Sequence, residues 1–189
     1  METDGITIRQ LAPGEDLADE LAEVLVDCVE AGASVGPMLP ISSESAVAFW
    51  RDVLDSAARG ERIVLVAEDD GSGEVLGTVQ VAWATPENQP HRADLTKLLV
   101  RGSARRRGVG DALVRAAERG AIAAGRTLLV LDTGTEEAAR VYERTGWRRV
   151  GVIPRFALWP GGGYLDTIVL YRDLEADPPA EAPVGRPTA

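Results

Sequence analysis

The chain has 189 residues, 45% of them hydrophobic, which suits one compact domain with a core of its own. A formal net charge of -10 argues against nonspecific nucleic-acid binding and is compatible with drawing in cationic substrates such as amines. The single Cys28 excludes an internal disulfide and a multi-cysteine zinc site. No apolar run is long enough for a bilayer and no charged-then-apolar leader opens the chain, so a cytoplasmic protein with no membrane partner is the expectation.

Ile6, Ile8 and Leu11 alternate with polar residues as an edge strand does, and Pro13-Gly14 closes it. Asp16 caps a predicted helix to about Ala31, with Leu17, Leu21, Val24, Leu25 and Cys28 at helical spacing. That spacing makes Cys28 a buried thiol rather than a nucleophile. Residues Ala33 to Ile41, with Pro37 and Pro40, form a loop. Ser42 or Ser43 caps a second helix, Glu44 to Ala58, whose apolar face holds Val47, Phe49, Trp50 and Leu54. Ile63–Ala67 and Val75–Ala84 read as a hairpin around the turn Asp69–Gly73. After a loop bounded by Pro86 and Pro90, the next strand runs to Val100, and a helix spans Asp111 to Ala124. Thr127–Leu131 is short and continuously apolar, so it should lie parallel to the preceding strand through a right-handed crossover. Thr135 caps a helix from Glu136 to Arg144, which Gly146 ends. Arg148–Ile153 is a strand, Arg155–Gly163 a glycine-rich loop or turn, and Leu165–Arg172 the last strand. The domain is expected over residues 1–174, with a flexible Pro/Ala-rich tail over 175–189. The resulting order is an α/β chain with a mixed sheet and helices on both faces.

The most informative stretch is Leu98-Leu99-Val100-Arg101-Gly102-Ser103-Ala104-Arg105-Arg106-Arg107-Gly108-Val109-Gly110. A strand that feeds a helix through glycines leaves main-chain N–H groups unpaired, and the helix dipole adds positive potential beside them. That combination is a phosphate cradle. Gly108 and Gly110 remove Cβ atoms that would block close approach or forbid positive φ, and Arg105, Arg106 and Arg107 add cationic donors. No Gly-Lys-Ser/Thr follows, so it is not a Walker loop, and the dinucleotide pattern Gly-x-Gly-x-x-Gly is missing.

Arg105-x-x-Gly108-x-Gly110 after an apolar strand resembles the acyl-CoA pyrophosphate loop of the GNAT N-acetyltransferases. Ala138-Ala139-Arg140-Val141-Tyr142-Glu143-Arg144-Thr145-Gly146-Trp147 resembles that family's second hallmark, a helix bearing a tyrosine and ending at glycine plus an aromatic. In this sequence valine precedes the tyrosine and tryptophan follows the glycine, where leucine and phenylalanine are common; both changes keep an apolar side chain.

The resemblance implies the GNAT fold, a mostly antiparallel mixed sheet whose fourth and fifth strands splay apart, and acetyl-CoA as cosubstrate without a metal. It implies that Leu98, Leu99 and Val100 present main-chain groups to the pantetheine arm. The pyrophosphate would fall to Arg105, Arg106, Arg107, Gly108, Val109, Gly110 and Asp111, with Thr133, Ala138, Ala139 and Tyr142 completing the cofactor site. Tyr142 would protonate the departing thiolate, and Asp132 or Asp94 would take the proton of the amine.

The run Asn88 to Val100, with Gly125 to Thr133, further resembles the GNAT subgroup that includes the tabtoxin resistance acetyltransferase, where two acidic residues are proposed to deprotonate an amino-acid-like amine. Asp94 replaces a glutamate there, which shortens its reach by one methylene. The expected acceptor is therefore a small amine; a protein lysine or N-terminus, or a noncatalytic acyl-CoA module, are the alternatives. Family members are often dimers, and a homodimer stays open.

Each of these residues also has a structural reading. Asp132 could cap the loop before Thr135, and Asp94 could be a strand-edge charge facing solvent. Met38, Leu39, Phe49 and Trp50 border the acceptor by resemblance, yet Phe49 and Trp50 sit where core side chains belong. His91 either contacts substrate or ends a loop, and Lys97 is expected to face solvent from an alternating strand.

Overall fold

A computed structural model of the protein describes residues 5–179. Seven strands form one sheet: β1 (Ile6–Gln10), β2 (Arg62–Asp69), β3 (Val75–Trp83), β4 (Arg92–Val100), β5 (Leu128–Thr133), β6 (Arg148–Leu158) and β7 (Tyr164–Asp173), in the spatial order β1-β2-β3-β4-β5-β7-β6. Every neighbouring pair is antiparallel except β4 and β5, which run parallel as the crossover required. Helices α1 (Ala18–Glu30) and α2 (Ser43–Ala58) cover one face, and α3 (Val109–Ala123) and α4 (Glu136–Arg144) the other. Among the described residues no helix is long and apolar enough to cross a membrane.

The amphipathic helices bury the residues their spacing selected. Leu21, Val24, Leu25 and Cys28 of α1 pack with Trp50 and Val53 of α2 on Val64, Val66 and Leu99. On the opposite face Leu113, Ala117, Ala139, Tyr142 and Trp147 pack on Leu95, Leu129 and Leu170. Caps follow the side-chain logic: the Ser45 and Ala138 amides donate to the hydroxyl oxygens of Ser42 (3.2 Å) and Thr135 (3.1 Å). Asp16 stands one residue outside the cap of α1, and its carboxylate accepts from the Ala18 amide. The tail expected from 175 lies mainly outside the described residues; its first part is held by Asp177, which accepts from Arg172 Nη1 at 2.7 Å.

β4 and β5 pair only through Arg92–Asp94 and Leu128–Val130. Beyond Asp94 they separate. The cause lies in β4's other edge. Its register with β3 shifts between Gln80↔Thr96 and Thr78↔Leu99, so Lys97 and Leu98 stand opposite Val79 alone. This β-bulge sharpens the local twist and turns β4 away from β5. Lys97 takes φ 54, a left-handed conformation that costs a lysine roughly 1–2 kcal/mol. β5, by contrast, stays paired to β7 along its whole length.

Two expectations are corrected. Helix α3 begins at Val109, not Asp111, because the carbonyl of Gly108 already accepts from the Ala112 amide. β6 continues to Leu158 rather than stopping at Ile153. A register shift between Ile153 and Ala157 absorbs Pro154 and Arg155 (φ 55), and pairing with β7 resumes at Ala157.

A buried polar cluster ties α3 to both ends of this half of the sheet. Glu118 is fully buried and accepts from Trp147 Nε1 at 2.8 Å, and Arg172 Nε lies 3.7 Å from the same oxygen. Arg172 Nη1 also donates to the Gly146 carbonyl at 2.8 Å.

Gly77 of β3 has no room for a side chain: an added Cβ would lie 2.7 Å from the Leu99 carbonyl oxygen and 3.3 Å from Leu113 Cδ1. Gly77→Ala should therefore lower unfolding free energy by about 1–3 kcal/mol, read as a fall in the urea midpoint at unchanged m-value.

Candidate active site

Among the described residues, the gap between β4 and β5 leaves an interior edge of the sheet open. On the α3 side, the N–H groups of Gly108, Val109, Gly110 and Asp111 have no acceptor among the described residues. Gly108 holds φ 82, a region glycine enters without strain, and aims these amides outward together. Gly110 differs from expectation: it lies inside the first helical turn, and a Cβ there would meet only Val141 Cγ1 at an ordinary 3.7 Å. Conformation thus requires glycine at 108 alone of the two.

The three arginines diverge. Arg105 Nε donates to the Val100 carbonyl at 3.3 Å, and Arg107 reaches Asp69 at 4.0 Å across the β2–β3 turn. Arg106, at φ 61, has no ion-pair partner among the described residues. Asp111 accepts from Arg144 at 3.0 Å, which joins the first turn of α3 to the end of α4. The Val100 carbonyl also receives the Cys28 thiol at 3.5 Å, so that oxygen is already engaged. Burial pushes the Cys28 thiol above its ordinary pKa.

Tyr142 is brought to the gap by α4. Ala139 anchors the helix, fully buried, and the Tyr142 ring packs on Trp147 at a centroid distance of 5.7 Å. Its hydroxyl has no hydrogen-bond partner among the described residues. Burial, with a smaller contribution from the charge of Asp132, raises its pKa well above the ordinary tyrosine value. Tyr142 is therefore a neutral proton donor at physiological pH. Asp132, near the end of β5, accepts from Thr167 Oγ1 at 2.8 Å through Oδ2, which leaves Oδ1 available. Thr133 ends the same strand, half-buried, and Ala138 lies in the first turn of α4.

Asp94 lies at the closed end of the gap and is ion-paired with Arg92 of its own strand. His91 precedes β4 at that same end, where its carbonyl accepts from the Thr127 and Leu128 amides, so it ends a loop. Trp50 is core, with none of its surface exposed, while Phe49 is half-buried and stands edge-on to it at 5.4 Å. Met38 and Leu39 are exposed at the rim.

Lys97 reverses the expectation for it. The bulge turns its side chain inward, under Phe49, with Nζ 5.6 Å from the ring centroid. A loop bridges the gap on this face. Ser34 Oγ donates to the Leu158 carbonyl at 2.7 Å and the Leu39 amide to the Pro160 carbonyl at 3.0 Å, so the α1–α2 connection is fastened to the β6–β7 turn. Neither the bulge nor this arch had a signal in the sequence, because both depend on pairing between distant segments.

Residues 60–149 match the family model described as an acetyltransferase (GNAT) domain, a span that contains the splayed strands, the amide cradle and Tyr142. Over that span the chain is similar to the GNAT acetyltransferase family. Solved GNAT-fold structures agree across nearly the whole chain. One is yncA from Salmonella typhimurium with its cofactor acetyl-CoA, at 18% identity and TM-score 0.72, over 96% of this chain and 99% of that one. A second is a GCN5-related N-acetyltransferase from Kribbella flavida, at 22% identity and TM-score 0.71, over 92% and 100%. A third is the ribosomal-protein-alanine N-acetyltransferase of Brucella melitensis, at 22% identity and TM-score 0.71, over 89% and 99%. At these identities the likeness is one of fold.

The raised pKa of Tyr142 has a stability consequence with a definite sign. Below the ordinary tyrosine value of 10.0 the phenol is neutral in both folded and unfolded chains, and its contribution is fully present. As pH rises above that value the unfolded chain releases its proton first, and stability falls until the folded phenol also ionises. Ultraviolet phenolate titration should show a late step that Tyr142→Phe deletes, and the variant should lose less stability over the same alkaline range.

Proposed function

We propose that the chain is an acetyl-CoA-dependent N-acetyltransferase that transfers an acetyl group directly to the primary amine of a small, amino-acid-like molecule. The carrying observation is the gap between β4 and β5, with free main-chain amides at one mouth and a buried, un-ionised tyrosine beside it. When bound, acetyl-CoA supplies the acetyl group as a thioester and leaves as the thiol. The residues present fit such a ligand: four unspent amides from Gly108 to Asp111 suit a pyrophosphate, and β4 beyond Asp94 has a free edge for an amide-bearing arm at Leu98 and Leu99.

Tyr142 holds a proton at its hydroxyl, donates it to the departing sulfur, and is reprotonated by the second proton that the nitrogen gives up as the amide forms. Asp132, through the oxygen that Thr167 does not occupy, takes a proton from the incoming ammonium, directly or through water. Asp94 is the second candidate base, and its pairing with Arg92 gives it the weaker case. No covalent enzyme intermediate is needed.

The fastened arch over residues 33–41 supports a small acceptor over a protein lysine or N-terminus, which needs an open surface. The resemblance of the Asn88–Val100 run to the tabtoxin resistance subgroup supports an amino-acid-like amine. The direct test is thiol release from acetyl-CoA against an amine panel that includes β-lactam amino acids. Release with none of them would reject the reading.

Two variants sharpen it. Tyr142→Phe should lower kcat by about 100-fold or more, with CoA affinity within about threefold of the parent. Equal loss of both would reject the acid role. Gly108→Val places a β-branched residue at positive φ and should weaken CoA binding by at least about tenfold, while circular dichroism stays native.

A further inference from the structure

Lys97 is the chain's single lysine; the other 19 of its 20 basic residues are arginines. It occupies the left-handed position of the β4 bulge, φ 54, a conformation that costs a non-glycine residue energy. Lys97 lines a pocket of about 320 Å³ between α2 and the sheet, with Phe49, Arg62, Gln80 and Thr96. Three of its lining side chains, Lys97, Arg62 and Gln80, carry N–H donors.

Gln80 is 1% exposed, and its Oε1 accepts from Arg62 Nη1 at 2.9 Å. Because a guanidinium can only donate, the amide orientation is fixed, and Nε2 points its two hydrogens elsewhere. That Nε2 is buried without a partner. An unsatisfied buried donor is destabilising, so a ligand that accepts from it recovers that cost. Arg62 Nε donates to Ser56 Oγ at 2.9 Å, which leaves Nη2 without a partner among the described residues.

Neither Lys97 nor Arg62 is ion-paired to a carboxylate among the described residues. Asp52, exposed at the rim, is not paired to either cation, and Asp132 acts on Lys97 from across the gap. Burial is the main cause that lowers the pKa of both cations; Arg62 adds repulsion at Lys97, while Glu61 acts on Arg62 in the opposite sense. Gly36 of the arch lies over Lys97, where an added Cβ would come within 3.9 Å of Nζ.

The geometry points to a carboxylate subsite: Lys97, Arg62 and the Gln80 amide hold an acidic group on the acceptor while its amine lies toward Asp132. This rests on the acetyltransferase reading for the identity of the reacting amine, but not for the subsite itself. It makes the acceptor a molecule with an amine at one end and a carboxylate at the other.

Because Lys97 is the single lysine, an amine-selective acetylating reagent reports on it directly in the full-length protein, by mass spectrometry of its peptide. N-acetyl derivatives of short ω-amino acids, from glycine to 6-aminohexanoate, and their matched primary amides serve as probes without a competing amine. At least one acid should slow labelling of Lys97 threefold or more while its amide does not. Equal labelling with acids and amides across the series overturns the subsite.

In the thiol-release assay, the parent amino acids should exceed their amides at least tenfold in kcat/KM. Lys97→Met should collapse that ratio toward one, and Lys97→Arg should keep most of it. A ratio preserved in Lys97→Met overturns the proposal. Protection of Lys97 by acids, with no thiol release from any amine, would leave the subsite standing and reject the acetyltransferase reading instead.

Discussion

The structure depends on how short the seam between two half-sheets is. Three residues of β4 meet three of β5, and everything beyond that seam is held apart. One half, β1 to β4, is stiffened by α1 and α2; the other, β5 to β7, is stiffened by α4 and the buried Glu118–Arg172–Trp147 cluster. Closing the gap by pairing the remaining edges would gain several main-chain hydrogen bonds. It would first require flattening the bulge at Lys97 and Leu98, whose twist comes from the antiparallel register with β3. The separation is a property of the strand pairing itself.

Each half-sheet brings one part of the chemistry to that gap. The α3 side contributes main-chain donors and a helix dipole, which need only the left-handed Gly108 and not any particular side chain. The α4 side contributes Tyr142, and its position is over-determined by Ala139 beneath it, Trp147 against it and the Arg144–Asp111 ion pair between the helices. The exposed ion pair adds little energy, but the packed aromatic pair fixes the ring. β5 supplies Asp132, held by Thr167 of its neighbour.

Much of this was legible in the sequence where local rules act alone. The helix faces, the Ser42 and Thr135 caps, the parallel crossover and the left-handed glycine at 108 all follow from spacing and backbone chemistry within about one turn of chain. Three features were not. The inward turn of Lys97 needs the β3–β4 register, which alternation within β4 alone predicts the wrong way. Phe49 and Trp50 are adjacent on one helix, and only the way α2 packs against the rest of the chain decides that Trp50 is core while Phe49 lines a pocket. Gly110 looked like a twin of Gly108, yet it sits inside the helix because the first turn closes two residues earlier than the aspartate suggested.

The outer margin of the sheet carries a consequence of its own. β6 is an edge strand and shows Val150, Val152 and Phe156 at 67%, 54% and 53% exposure, a pattern that ordinarily invites another chain to add on. Its interruption at Pro154 and Arg155 removes one donor and kinks the rail at mid-length. A visiting strand could match the stretch before the proline or the stretch after it, but not both in one register. The same irregularity that hid half of β6 from a sequence reading thus serves as a guard against fibril-like stacking.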